Sequence, residues 1–236
     1  MQILRIVIKI FICVPILSMF FLGTTIRWEG MMAEEIVRLP EPKLSGGVSV
    51  EEALNRRHSV RNFRDASISL REVAQLLWAC AGKRIDSVSR ASRTFPSAGG
   101  VYPLNVYFFV GKVQTLRAGI YKYDPDNHTL ELLRPGDYRR KLASAALGQV
   151  FIANAPASIV ITANYSKTWR VYGDRGSVRY VHMDAGHSAQ NVYLQATSLG
   201  LGTVAVGAFI DERVKKIFDL QDEEPLYILP VGWPRK

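Results

Sequence analysis

The chain has 236 residues, of which 48% are hydrophobic and 22% charged, with a net charge of +9. That is enough apolar material for one large domain or two small ones, and it excludes a disordered, collagen-like or low-complexity chain. The two cysteines, Cys13 and Cys80, form no CxxC spacing, which excludes a disulfide framework, zinc fingers, iron–sulfur sites and thioredoxin chemistry.

Residues 1–30 differ from the rest. Arg5 and Lys9 precede an apolar run from Ile10 to Leu22, followed by Gly23, Thr24 and Thr25. A basic start before an apolar stretch reads as a secretory signal or, over residues 6–26, as a membrane anchor. The basic flank predicts the N-terminus inside and the bulk of the chain outside, so the protein is expected to be membrane-anchored or exported. No A-x-A cleavage site or twin arginine is present. The alternative is a start at Met31 or Met32 and a cytoplasmic protein. Residues 31–48 read as a linker, with Pro40, Pro42, Gly46 and Gly47, leaving residues 49–236 as one domain.

Within that domain Ser49 with Glu52 forms a capping box that opens a short helix ending near Arg57. Ser69 with Glu72 forms a second, opening a helix over 70–81 that stops at Gly82. Residues 83–97 read as a polar, basic loop. Residues 104–110 (LNVYFFV) are rich in β-formers and predict a strand. Residues 119–123 and 129–133 flank Asp124-Pro-Asp-Asn-His128 as a hairpin. Asp137 is expected to cap a helix reaching Gly148. Residues 157–163 (ASIVITA) predict a second strand. Ser177 is expected to cap a long helix to Leu199, with Val178, Val181, Ala185, Ala189, Val192, Ala196 and Leu199 on its apolar stripe. A strand over 203–209, a short helix capped by Asp211 and a last strand over 226–231 complete the chain. The hairpin amid alternating helices and strands favours an α+β fold, helices packed on a sheet, over a doubly wound one.

Three segments could carry chemistry. Arg56-Arg57-His58-Ser59-Val60-Arg61 offers the donors a phosphate needs. From Arg56 to Arg93 nine basic residues stand against three acidic ones, a local +6. A solvated basic face is the alternative; nucleic acid is disfavoured, because few aromatics interleave and no helix-turn-helix or RNA-binding signature is present. Phe95-Pro-Ser-Ala-Gly-Gly-Val-Tyr-Pro103 has small residues that let a backbone approach a flat ligand, or that simply make a turn. Gly200-Leu-Gly-Thr-Val-Ala-Val-Gly207 lacks G-x-G-x-x-G spacing and runs helix to strand, which rejects a Rossmann site. Gly200 and Gly202 read there as a helix stop before a buried strand, and Gly207 as free to sit against a ligand. No P-loop, HExxH or GxSxG is present. His182 and His187 do not share a helix face, and Asp184 with His187 reads as a satisfied helical pair. No metal site is expected.

Taken together and in order, these segments resemble the nitroreductase-like flavin oxidoreductases, and more closely their SagB-type azoline-dehydrogenase branch. RRHSVRNF at 56–63, PSAGGVYPLNVYFFV at 96–110, ALGQVFIANAP at 146–156, the run at 172–209 and LYILPVGWP at 226–234 carry the resemblance. It implies FMN at the interface of an obligate homodimer, on a central mixed sheet flanked by helices. It implies that Arg57, His58, Ser59 and Arg61 hold the phosphate and ribityl chain, with Arg235 completing the site. Pro96, Ser97, Ala98 and Gly99 would lie against the ring from the partner subunit, Gln149 would reach the pyrimidine edge, and the backbone of Val206 and Gly207 would face the reactive nitrogen. Azoline-dehydrogenase relatives carry a Lys-Tyr pair before their G-x-R-G segment. Here the lysine position is Val171, with Arg170 before it and Tyr172 after. An arginine serves poorly as a base, which favours a stand-alone FMN oxidoreductase acting on a small molecule, with NAD(P)H as a candidate donor and Tyr172 as proton relay. The alternative is an envelope-anchored flavin- or ligand-binding protein without redox turnover.

Overall fold

The computed structural model describes residues 35–84 and 92–235. The signal or anchor expected over 1–30 and the candidate starts Met31 and Met32 lie outside the described residues, as does part of the loop expected over 83–97. Among the described residues no helix is long and apolar enough to cross a membrane.

Seven strands form one sheet: β1 (Ile36–Arg38), β2 (Leu104–Val110), β3 (Gly119–Asp124), β4 (Thr129–Pro135), β5 (Ala157–Ala163), β6 (Gly202–Thr203) and β7 (Glu224–Gly232), in the order β1-β4-β3-β2-β5-β7-β6. The α+β expectation holds. The sheet departs from the mixed one expected, since all six strand pairs are antiparallel. Parallel pairing is confined to isolated bridges such as Ser59 with Thr203.

Side chains alternate across the sheet because strand residues point to opposite faces. Val106, Phe108 and Val110 of β2 turn to one face, where helices α2 (Leu70–Ala81) and α6 (Val181–Ser198) cover them. Tyr107 and Phe109 turn to the other, against α3 (Arg139–Ala145), α4 (Val150–Asn154) and α7 (Asp211–Phe218). Both faces are thus dry, which is why LNVYFFV is apolar throughout rather than alternating.

The Ser69 capping box is complete, with Ser69 Oγ accepting from Glu72 N–H at 3.2 Å and Glu72 Oε2 accepting from Ser69 N–H at 2.6 Å. The Ser49 box at the start of α1 (Val50–Arg56) is half made. Ser49 Oγ accepts from Glu52 N–H, but the Glu52 carboxylate pairs with Arg56 at 2.6 Å instead. Gly82 ends α2 in an extended conformation; a Cβ there would lie 2.4 Å from the Trp78 ring.

Five expectations are corrected. The helix expected from Asp137 to Gly148 covers only Arg139–Ala145, with Tyr138 at the cap position; it stops before Leu147 and Gly148, which take φ of 56° and 77°, and α4 follows as a separate short helix. Ser177 caps nothing: its Oγ donates to Asp174 C=O within a continuous helical run, α5 (Tyr165–Arg175), a π-turn over Gly176–Tyr180, then α6. Helix α5 is absent from the sequence reading because its Trp169, Val171 and Tyr172 are exposed and leave no inward stripe. The strand expected over 203–209 keeps only Gly202–Thr203, and Val206 returns to Ile228 by a single bridge. Asp211 opens the short helix α7 as its first residue; the cap position is Ile210. Within the stretch read as linker, β1 pairs with β4 and Leu39 is buried.

His128 holds that edge strand. Its Nε2–H donates to Pro40 C=O at 3.0 Å, and its Nδ1 shares a 2.8 Å hydrogen bond with the Tyr123 hydroxyl. Burial lowers its pKa. A folded value below the unfolded one means this contribution is present above pH ~6.5 and lost as pH falls through that value toward the folded one. Hydrogen exchange at Leu39 N–H, bonded to His128 C=O at 3.1 Å, is therefore expected to lose protection below pH ~6 before the core amides do.

Candidate functional site

The basic segment 57–61 runs beside the sheet edge. Val60 N–H donates to Thr203 C=O at 2.9 Å, and the Val60 side chain is buried with Phe63 and Ala155. Its neighbours therefore face outward: His58, Ser59 and Arg61 are exposed and Arg57 is half-buried. On the far side the C-terminal residues close against it. Phe63 bridges Pro234, and Arg235 N–H donates to Asn62 C=O at 2.9 Å. Arg57, Arg61 and Arg235 are thereby gathered at one edge, and none forms a salt bridge with a described residue, whereas Arg56 is committed to Glu52.

Tyr193 of α6 ties this edge to the chain after β6. Its ring lies under the Arg57 guanidinium at 5.3 Å, and its O–H shares a 3.0 Å bond with Ser59 Oγ while accepting from Ala205 N–H at 2.8 Å. Next along are buried Val206 and exposed Gly207. Gln149 reaches the same stretch, its Nε2 donating to Ala146 C=O and Ala208 C=O at 2.9 Å each. Arg57, Ser59, Val206, Gly207 and Gln149 thus form one connected rim, joined by Arg61 and Arg235. None of these rim residues lines a separate, half-open hollow of about 120 Å³ that lies between His58, Val60, Tyr193, Thr203 and Pro234.

The turn at Pro96–Gly99 is built separately. Asp184 of α6, only 3% exposed, takes Ser97 O–H at 2.5 Å and also the Ala98 N–H. Ser97 Oγ in turn accepts from Tyr102 N–H at 3.0 Å. The Ser97 side chain is therefore spent on the fold, and only backbone and small side chains of the turn face outward. Gly99 adopts φ +60°, and a Cβ on it would lie 2.3 Å from the Tyr172 hydroxyl. Tyr172 therefore stands directly against the turn.

The two parts sit on opposite faces of one helix. Asp184 and Tyr193 are nine residues apart in α6, which is two and a half turns, about 180° of rotation and roughly 14 Å of rise. One copy therefore does not bring the turn over its own basic rim.

The nitroreductase family profile matches residues 54–233, more than half of the chain. The chain belongs to the nitroreductase family. Members of that family are oxidoreductases and generally bind a flavin. MJ1384 of Methanocaldococcus jannaschii, named as a nitroreductase, is 47% identical over 185 residues, 78% of this chain and 91% of that protein. A Ralstonia eutropha protein likewise named as a nitroreductase has a crystal structure that superposes with a TM-score of 0.73 at 31% identity, covering 87% of this chain and 92% of that one. The trifolitoxin operon protein TfxC of Rhizobium leguminosarum bv. trifolii is 26% identical over 82% of this chain, which spans 57% of TfxC. The Escherichia coli microcin synthetase complex McbBCD, solved with truncated pro-MccB17 bound, shares the fold with a TM-score of 0.67 at 22% identity over 97% of this chain and 85% of that one.

Two residues that hold these surfaces together escape the sequence reading. Asp184 looked like the partner of His187, and its contact with Ser97 crosses 87 positions. Tyr193 drew no reading of its own. The only local signal was a buried acid and a tyrosine off the apolar stripe.

Proposed function

We propose that this chain is an FMN-dependent oxidoreductase that works as a homodimer and moves a hydride between flavin and a small molecule, with NAD(P)H as electron donor. The observation that carries this reading is the pair of half-sites on opposite faces of α6, which two copies related by a twofold axis can bring together.

The residues fit the group. A phosphate dianion suits arginines held in no salt bridge, so Arg57, Arg61 and Arg235, with Ser59 and His58, would hold the phosphate and ribityl chain. Gln149 would present its amide to the pyrimidine edge, and the exposed backbone at Gly207 would allow close approach of a flat ring. The turn of Pro96, Ser97, Ala98 and Gly99 would close the other side from the second copy. Bound FMN supplies the hydride chemistry, and the protein supplies orientation and electrostatics. Tyr172, at the turn, would pass the proton that accompanies the hydride. Val171 is exposed and carries no base, which supports a small-molecule substrate over a peptide azoline. Residues 1–30 would anchor or export the protein.

The wild-type full-length protein should show a flavin spectrum that NADPH or NADH bleaches anaerobically. Complementation then tests the shared site. Arg57→Ala/Arg61→Ala and Gly99→Val should each lose most bound FMN. A refolded equal mixture should regain about a quarter of wild-type capacity, because half the dimers are mixed and each has one intact site. No recovery on mixing would place both halves in one chain and sink the reading.

A further inference from the structure

Tyr193 joins two parts of the rim through a single oxygen. It stands on α6 beside Val192 and near Ala196, both buried in the core, so its place is fixed by the fold. Its phenolic oxygen accepts from Ala205 N–H at 2.8 Å and shares a 3.0 Å bond with Ser59 Oγ. A phenol has one proton to give, and among the described residues that proton has no acceptor other than Ser59 Oγ. The arrangement that leaves no donor idle therefore runs one way. Ala205 N–H donates to the Tyr193 oxygen, and Tyr193 O–H donates to Ser59 Oγ. Ser59 is exposed, and its own proton has no acceptor among the described residues. That proton is left for an oxygen from outside the chain. Each bond in such a chain polarises the next, which makes the terminal hydroxyl a better donor to an anion.

The ring acts on a second donor. The Arg57 guanidinium lies over it, 5.3 Å from its centroid. An aromatic face restrains a guanidinium without using its N–H donors, and Arg57 forms no salt bridge with a described residue. No carboxylate lines the hollow beside Tyr193 and Thr203, so nothing there competes with an incoming anion.

We propose that Tyr193 is a positioning residue for phosphate recognition. Its hydroxyl turns Ser59 into a donor and its ring holds Arg57, so that FMN is selected over riboflavin, which lacks the phosphate. This inference rests on the flavin reading above and adds to it the residue that reads the phosphate through its neighbours.

Fluorescence quenching of FMN and of riboflavin, titrated with flavin-depleted full-length protein in mild detergent, gives both dissociation constants. The wild type is expected to prefer FMN by about tenfold or more, since charge-assisted bonds to phosphate are the strong ones. Tyr193→Phe keeps the ring and removes the hydroxyl; it should weaken FMN about fivefold and leave riboflavin unchanged. In a Ser59→Ala background the same change should have no further effect, because the chain is already cut. Tyr193→Leu also removes the ring and should weaken FMN by about threefold more than Tyr193→Phe does. Equal losses for FMN and riboflavin would make Tyr193 merely structural and overturn the proposal. A wild type without preference for FMN overturns it too, as does a preference that Tyr193→Phe retains or additive losses with Ser59→Ala. Wild-type protein that binds neither flavin would sink the flavin reading itself, and this inference with it.

Discussion

Asp184→Ala is expected to lower the thermal midpoint by roughly 5–10 °C and to weaken flavin binding well beyond what that destabilisation explains. Asp184 is the acceptor for both Ser97 O–H and Ala98 N–H. Alanine leaves both donors without a partner at about 1–3 kcal/mol for each one buried. It also frees the turn that the proposed function places against the flavin. Asp184→Asn is the informative companion. Burial raises the Asp184 pKa, with Ser97, His187 and the Ala98 N–H pulling it down less strongly. The charged form is therefore favoured in the unfolded chain, and this residue reduces stability as pH rises from about 4 toward its raised folded value. Asparagine keeps an acceptor and cannot ionise, so it should retain the flavin and flatten that part of the stability–pH curve. Melting curves and FMN titrations of the two variants separate the effects. An alanine variant with wild-type melting and wild-type affinity would remove Asp184 from the site.

Gly202→Ala is expected to cost about 3 kcal/mol, or roughly 6–12 °C in the midpoint. A Cβ there would lie 2.5 Å from Val60 Cγ2 and 2.7 Å from Val60 Cβ. Both are side-chain atoms of a residue whose backbone is fixed by the Val60 N–H bond to Thr203, so the new methyl can be accommodated only by lifting residues 59–61 off β6. The arginines on that segment should move with it, and anion binding should fall in parallel with stability. Val60→Ala in the same chain removes the two methyl clashes but not the Cβ, so recovery should be partial. Unchanged melting of Gly202→Ala would mean that the basic segment is held by something other than this contact.

Gly202 also shows where a sequence reading stops. Gly200 and Gly202 together suggested a helix stop and a strand. The stop is Gly200, at φ +72°, while Gly202 has ordinary backbone angles and is small because Val60 crosses it. A left-handed turn is a local property. A close approach between residues 142 positions apart is not. The same division holds at Ser97, read only as a small residue of a turn, whose hydroxyl is spent on Asp184 and Tyr102.

The sequence by itself determined what short-range physics controls. Strands β2 and β5 and helix α2 fell within their predicted limits, because β-branched runs and the Ser69–Glu72 box act over a few residues. The ordered segments carrying the family resemblance were equally readable, since motif residues need no contact map. Tertiary structure decided the rest. It broke the helix after Ala145, hid α5 behind an exposed apolar face, and drew residues 36–38 into the sheet. Above all it set Asp184 and Tyr193 on opposite sides of α6, so that the turn and the basic rim of one copy face apart. Each of these depends on which distant surface a segment buries against, and burial is a property of the folded whole rather than of any window of residues.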